Sequence, residues 1–221
     1  MNLNRLTSRE SWFHIYSKRD LVRVRTHKLP MAVLWLVVSC IFPSANPAQV
    51  PVYEITRGES TIKFGVDSSV SIKGTFDKWS ASIKFSSTDA RSGVLDIEIQ
   101  ADTVDTGSGL KNNKLKGQDF FDVKNSPIIT FKSTKVVQTG LNTFDLEGDF
   151  TIRGVTKRER LTLTASGKGT TSGSIDGTMA FDRKDYGIDG NIPLIKIADR
   201  VEVNVDLKVN QTSGPRLVYK Q

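Results

Sequence analysis

The stretch Val201-Glu202-Val203-Asn204-Val205-Asp206-Leu207-Lys208-Val209 decides the fold. It alternates strictly between aliphatic and polar residues. In a strand successive side chains point to opposite faces, so this stretch presents one aliphatic face and one polar face. A helix would scatter the same residues around its circumference. A chain built of such one-sided strands must close its apolar faces on each other.

The same period returns upstream, more loosely. Val52 to Thr56 starts a strand, and Ile62, Phe64 and Val66 share one face of the next. Val70, Ile72, Gly74 and Phe76 fall together, as do Trp79, Ala81, Ile83 and Phe85. With Asp77-Lys78 between them, these two runs read as a tight hairpin. Leu95, Ile97 and Ile99 follow, then Ile129, Phe131 and Ser133. Next come Phe144, Leu146, Gly148, Phe150 and Ile152, and after the Gly154 turn Leu161, Leu163 and Ala165. Ile175, Gly177, Met179 and Phe181 lead to the Val201 strand.

Eight or nine short-linked strands make antiparallel neighbours. The fold class is all-β, and an eight-stranded antiparallel barrel leaves no exposed edge. A two-sheet sandwich is the alternative that the pattern alone leaves open. Gly74, Gly148 and Gly177 fall on the apolar faces among large residues. Such glycines relieve strand curvature or leave room for a ligand, and the two roles are compatible.

Two stretches break the rhythm. Between Thr103 and Pro127, Leu110 and Leu115 with interleaved lysines predict one short helix stopped by Gly117. A connection of this length is often a lid or a mouth. The second irregular stretch runs from Asp182 to Asp199. The tail after Asn210 is polar and is expected to fray.

Residues 1–49 read as a secretory leader. Met31 to Phe42 is a twelve-residue run without a charge, preceded by Arg23, Arg25, His27 and Lys28 and followed by PSANPAQ. It is too short to span a bilayer and has the flanks of an export signal. Val37-Val38-Ser39-Cys40 resembles a lipobox, making Cys40 a lipidation candidate and a membrane-anchored lipoprotein one outcome; cleavage near Ala48 is the other. The expected location is therefore periplasmic or secreted, with residues 50–212 forming the barrel domain and 213–221 a polar tail.

The leader also holds most of the excess charge. It carries seven Lys or Arg and two Asp or Glu, out of 31 and 24 in the chain, so the remainder is only two charges positive. No basic arm survives to neutralise phosphates, and nucleic acid is not an expected partner. His14, His27 and Cys40 are the only His and Cys residues, all in the leader. The domain thus lacks imidazole bases, Cys/His metal sites and disulfides. No cofactor or metal is expected, and about 170 residues are enough for one self-sufficient core.

Several ordered motifs resemble the YceI-like family. They are Ser60-x-Ile62-x-Phe64, Gly74-x-Phe76, Asp105-Thr106-Gly107, Leu115-Lys116-Gly117-x-Asp119-Phe120-Phe121-Asp122-Val123 and Pro127-x-Ile129-x-Phe131-x-Ser133. Gly148-Asp149-Phe150-Thr151-Ile152-Arg153-Gly154-Val155-Thr156-Lys157 and Phe181-Asp182-Arg183-Lys184-Asp185-Tyr186-Gly187 complete the set, from about Tyr53 to Leu207. The resemblance implies a lipocalin-like barrel that binds polyisoprenoid or another long-chain lipid in an elongated apolar tunnel. Three histidines common in the family are absent: the chain has Glu59, Ser68 or Ser69, and Lys114 at those places.

The expected tunnel residues are Phe64, Phe76, Phe85, Ile97, Phe131, Leu146, Phe150, Leu163, Met179 and Phe181. Periodicity alone favours a solid core, because eight-stranded barrels are also filled by their own side chains; the resemblance reverses that in favour of a ligand. Head-group or mouth candidates are Lys111, Lys114, Lys116, Phe120, Phe121, Arg183 and Tyr186. The lysines suit a phosphate or an anionic membrane surface, or form a solvated helix face. Arg183-Lys184-Asp185-Tyr186 also reads as a self-satisfied ion cluster, and Asp102 and Asp105 as caps.

The expected function is non-enzymatic binding, transport or sequestration of an isoprenoid-type lipid. An enzyme acting through Asp residues and a protein-interaction module of the cell envelope are the alternatives. Expected partners are the lipid, a peripheral membrane contact and a second copy of the chain as a homodimer.

Overall fold

The computed structural model describes residues 49–219 except Val70 and Pro193. The leader, its apolar run and Cys40 lie outside the described residues. Within them the chain forms β1 (Val52–Ile55), β2 (Thr61–Ser68), β3 (Ile72–Phe76), β4 (Trp79–Phe85), β5 (Gly93–Gln100) and β6 (Val104–Asp105). Then follow α1 (Gly109–Lys116), β7 (Ile128–Gln138), β8 (Thr143–Ile152), β9 (Val155–Ala165), β10 (Ser172–Asp182) and β11 (Ile197–Ser213).

These segments occupy eight positions around a closed antiparallel barrel. β1 and β2 both pair with β11, at its C-terminal and N-terminal halves, and are one strand broken by a 3₁₀ turn at Arg57–Glu59. β3 pairs with β2 while β4 pairs with β1, and β6 pairs with β3 while β5 pairs with β4. β7 to β11 then run up and down to meet β1. The sandwich alternative is thereby excluded.

The expected hairpin at Asp77-Lys78 is absent. β3 and β4 are two halves of one continuing strand, and the ladder crosses the join: Asp77 N donates to Thr103 O at 3.3 Å and Gln100 N to Lys78 O at 2.9 Å. The hairpin lies one step earlier, where Val66 pairs with Ile72. A polar dipeptide between two apolar runs marks a turn only if the ladder stops there; here the β5–β6 side carries it through.

Two buried serines mend the ladder where it is interrupted. Lys208 N donates to Ser60 Oγ at 2.8 Å, and that hydroxyl donates to Thr56 O at 2.8 Å, bridging the break between β1 and β2. At a bulge in β7, Leu95 N donates to Ser133 Oγ at 2.8 Å. A buried amide left without a partner would cost about 1–3 kcal/mol. The tightest reversal joins β8 to β9, where Arg153 and Gly154 both adopt positive φ (55° and 74°). Two such residues give the reverse twist that a two-residue hairpin requires.

Inward residues are apolar and outward ones polar. β8 alternates perfectly, with Phe144, Leu146, Gly148, Phe150 and Ile152 buried. Outside, Arg158 pairs with Asp149 at 3.6 Å, Arg160 with Asp145 at 3.6 Å and Lys135 with Glu147 at 3.3 Å. This charged exterior is the reverse of a transmembrane barrel, whose outer band is apolar.

Through Tyr219 the tail does not fray. β11 continues to Ser213, and residues 215–219 fold back across one barrel end. Val218 N donates to Thr88 O at 2.8 Å and Ala90 N to Val218 O at 3.0 Å. The Gln211 side-chain amide braces the turn by donating to Gly214 O and Pro215 O at 2.9 and 2.8 Å.

Candidate functional site

The barrel interior is the candidate site, and it is divided. At the end covered by α1, a cavity of about 70 Å³ is bounded by Phe64, Phe76, Phe150, Phe181, Phe120 and Phe121, with Leu115 and Ile188. At the end covered by the tail, a cavity of about 100 Å³ is bounded by Tyr53, Phe85, Phe144, Leu146, Leu163, Ile175, Leu217 and Tyr219. Ile97, Phe131, Leu161, Met179, Val205 and Leu207 are buried and bound neither cavity. They form a packed waist.

The ten expected tunnel residues fall into three groups. Phe64, Phe76, Phe150 and Phe181 surround the helix-end cavity, and Phe85, Leu146 and Leu163 the tail-end cavity. Ile97, Phe131 and Met179 fill the waist. The two cavities do not join into one open tunnel. The inward glycines explain part of this. A Cβ on Gly74 would lie 2.7 Å from the Phe64 ring, and one on Gly177 2.7 Å from Leu163 Cδ2. The space at these glycines is taken by side chains from neighbouring strands, which lets large residues pack inside a narrow barrel.

Two aromatic triads floor the helix end. Phe64, Phe76 and Phe121 have centroids 5.5–6.0 Å apart. Phe150, Phe181 and Tyr186 stand 5.0–5.4 Å apart. Their tilted and edge-on contacts suit the ring quadrupoles.

The head-group candidates divide by what already holds them. Tyr186 is fully buried and its hydroxyl donates to Glu159 Oε1 at 2.8 Å. Burial, then Glu159, raises its pKa well above the ordinary phenol value. Arg183 is buried too; its Nη1 donates to Ile188 O at 2.6 Å and Gly190 O at 3.3 Å, its Nε to Ala198 O at 3.1 Å. Its Nη2 lies 3.2 Å from Asp199 Oδ1. Lys184, bonded to the same carboxylate at 2.8 Å, is the main cause of the lowered Asp199 pKa. This is the self-satisfied cluster that the sequence also allowed, and it anchors the Asp182–Asp199 stretch.

Phe120 and Phe121 are buried beneath α1 rather than set at a mouth. Lys111 Nζ donates to Ser71 O at 3.2 Å, and Lys114 lies 3.6 Å from Asp119 and 5.6 Å from the Phe120 ring centre. Lys116 is half-buried. Asp105 caps its loop, accepting from Gly107 N at 2.9 Å and Asn112 Nδ2 at 3.1 Å. The Gly107 bond is the first cause of its lowered pKa. Arg153 donates to Gly187 O and Gln118 O, tying the two irregular stretches together.

Sequence reasoning missed Tyr53, Leu217 and Tyr219. The only signal for the last two was the alternation in Leu217-Val218-Tyr219, too short to stand out from a polar tail.

A closed eight-stranded antiparallel barrel with an apolar interior, a charged exterior and one helix over an end defines a lipocalin-like protein. Residues 53–209 match the family model of the YceI-like domain, and the chain belongs to that family. A UPF0312 protein of Pseudomonas savastanoi pv. phaseolicola is 29% identical over 133 residues, covering 58% of this chain and 69% of the relative. Among solved structures, Burkholderia cenocepacia BcnA is similar with a TM-score of 0.64 and 24% identity, over 70% of this chain and 99% of that one. A polyisoprenoid binding domain from Saccharophagus degradans is similar with a TM-score of 0.57 and 16% identity, over 73% and 99% of the two chains. At these identities the two structures share the fold.

Proposed function

We propose that the protein is a non-enzymatic binder of a long-chain, isoprenoid-type lipid, which it carries or sequesters in the cell envelope after export. The observation that carries this reading is the interior itself: two largely apolar cavities at opposite ends of one barrel, separated by a waist of mainly apolar side chains. Each is smaller than the ~150 Å³ engineered cavity that admits benzene. A long chain must therefore open the waist and join them. Met179 suits that role, since an unbranched thioether re-packs with little strain. Each methylene moved from water into the barrel contributes about 0.8 kcal/mol, enough for a long tail to offset such repacking.

The fold shared with a polyisoprenoid binding domain supports this reading. The basic flank and short apolar run at residues 23–42 support export. Native mass spectrometry of protein purified from the producing cell tests the proposal. A bound species of lipid mass, or stoichiometric uptake of added prenyl lipid, is expected; protein that stays empty under both conditions overturns it.

A further inference from the structure

We infer that the tail end of the barrel, not the helix end, holds the head of the bound lipid, that Lys168 and Arg216 contact it, and that it is anionic. This rests on the lipid-binding reading above.

The helix end offers a head group little. Its cavity lining is apolar, and the guanidinium of Arg183 is spent on three backbone carbonyls and Asp199. Lys111 and Lys114 are engaged by Ser71 O and by Asp119, and the remaining helix lysine, Lys116, does not border the cavity.

The tail end differs in its lining, which includes Ser166, Thr170, Ser172 and Ser174. Tyr53 and Tyr219 border its cavity and are half-buried. Burial raises both hydroxyl pKa values; Tyr53 adds to the effect on Tyr219, and the Arg216 charge opposes it on Tyr53. Arg216 directly precedes Leu217, which borders the same cavity as the two phenols, so all three belong to one barrel end. Lys168 Nζ stands 5.0 Å from the Tyr219 ring centre. Both cations are exposed, and among the described residues neither forms an ion pair with a carboxylate. The docked tail, held by Val218 N to Thr88 O and Ala90 N to Val218 O, is what brings Arg216 and Tyr219 to this place.

Two unpaired cations and two phenols at the wet rim of an apolar cavity match one ligand chemistry: a single anionic head on a long aliphatic tail. Prenyl phosphates and fatty acids share it. The tail descends through the waist while the head stays at the water boundary.

The test compares farnesyl monophosphate, hexadecanoate and farnesol as probes of the full chain. At low salt the better-bound anion is expected to bind about tenfold more tightly than farnesol, with the gap narrowing as salt rises. Which anion leads identifies the head. In K168A/R216A the ratio of anion to farnesol affinity is expected to fall towards one, while K132A, an exposed lysine on the outside of β7, keeps the wild-type ratio. Thermal melts of the double variant matching the wild type exclude misfolding as the cause. A ratio near one in the wild type, or one that survives K168A/R216A, overturns the inference while leaving lipid binding intact. So does a ratio that collapses instead in K111A/K114A/K116A. Failure of all three probes to bind overturns the lipid reading and this inference with it.

Discussion

Phe131 of β7 lies over Gly148 of β8: a Cβ built on Gly148 would come within 2.7 Å of the ring's Cζ and 2.6 Å of the Lys132 carbonyl oxygen. The ring belongs to the waist, so this glycine sets how tightly the barrel closes at its middle. The obstructing carbonyl is part of the β7 backbone and cannot swing aside. Gly148→Ala is expected to destabilise by about 2 kcal/mol, within the range for overpacked cores. Gly177→Ala meets the movable Leu163 Cδ2 at 2.7 Å and is expected to cost about half as much. Paired denaturant titrations check the ranking; equal losses would mean that the β7 backbone yields.

Met179→Ala should separate stability from binding. Deleting a buried methionine in a packed waist costs about 2–5 kcal/mol. The same deletion removes part of the partition between the two cavities. Lower thermal stability together with stronger uptake of long prenyl chains is expected, measured by melting and native mass spectrometry. Weaker uptake would mean that the side chain grips the ligand rather than blocks it.

Phase along a strand was legible in the sequence; level along the barrel axis was not. Alternation from Val201 to Val209 and from Phe144 to Ile152 says which residues face in. Whether Phe131 sits at the waist and Phe150 beside a cavity depends on register summed across eight strands, which no single strand encodes. Asp77-Lys78 was misread because a ladder passing through a polar pair leaves no local mark. The tail was misread for a different reason: Leu217 and Tyr219 are ordered through Val218 between them, whose backbone bonds Thr88 and Ala90 some 130 residues distant, rather than by any preference of their own. Ser133 was placed on the inward face, but the bulge that requires its hydroxyl became visible only through the Leu95 amide, which donates to that side chain instead of to the ladder.

Ser133→Ala tests that repair. The substitution leaves Leu95 N buried without an acceptor, at a cost of about 1–3 kcal/mol. Amide exchange should accelerate at Leu95 more than at Ile97 or Ile99 of the same strand. Uniform acceleration along β5 would show a global effect instead.

Alkaline unfolding should report on Tyr186. Its pKa in the folded protein is raised, first by burial and then by the hydrogen bond to Glu159. A phenol that holds its proton more tightly when folded adds stability that is intact below its unfolded pKa, about 10, and is lost as pH rises beyond that value. Wild-type stability is therefore expected to be flat with respect to this group between pH 7 and 9 and to fall above about 10. Tyr186→Phe removes the titrating group, so its alkaline slope should be shallower. It does not vanish, because Tyr53 and Tyr219 are shifted in the same direction. Denaturant midpoints across the pH series check this; parallel slopes for the two proteins would refute the assignment.

Removing residues 215–221 should uncover the barrel end that the tail now closes. Leu217 and Tyr219 border the cavity, and Tyr219 packs 6.0 Å from Phe144. Without them Phe85, Phe144 and Ile175 face solvent at a wider opening, while β11 keeps its full pairing with β10, since the last paired residue there is Asn210. The fold should therefore persist with an unchanged strand signal in circular dichroism. Binding of an environment-sensitive apolar dye should rise, because a contiguous apolar surface has become accessible. Lipid exchange should quicken in both directions, since the tail no longer has to lift from Thr88 and Ala90 before a chain passes. Unchanged dye binding and exchange would mean that ligand enters beneath α1, and that the two backbone bonds to Val218 serve the tail's own order alone.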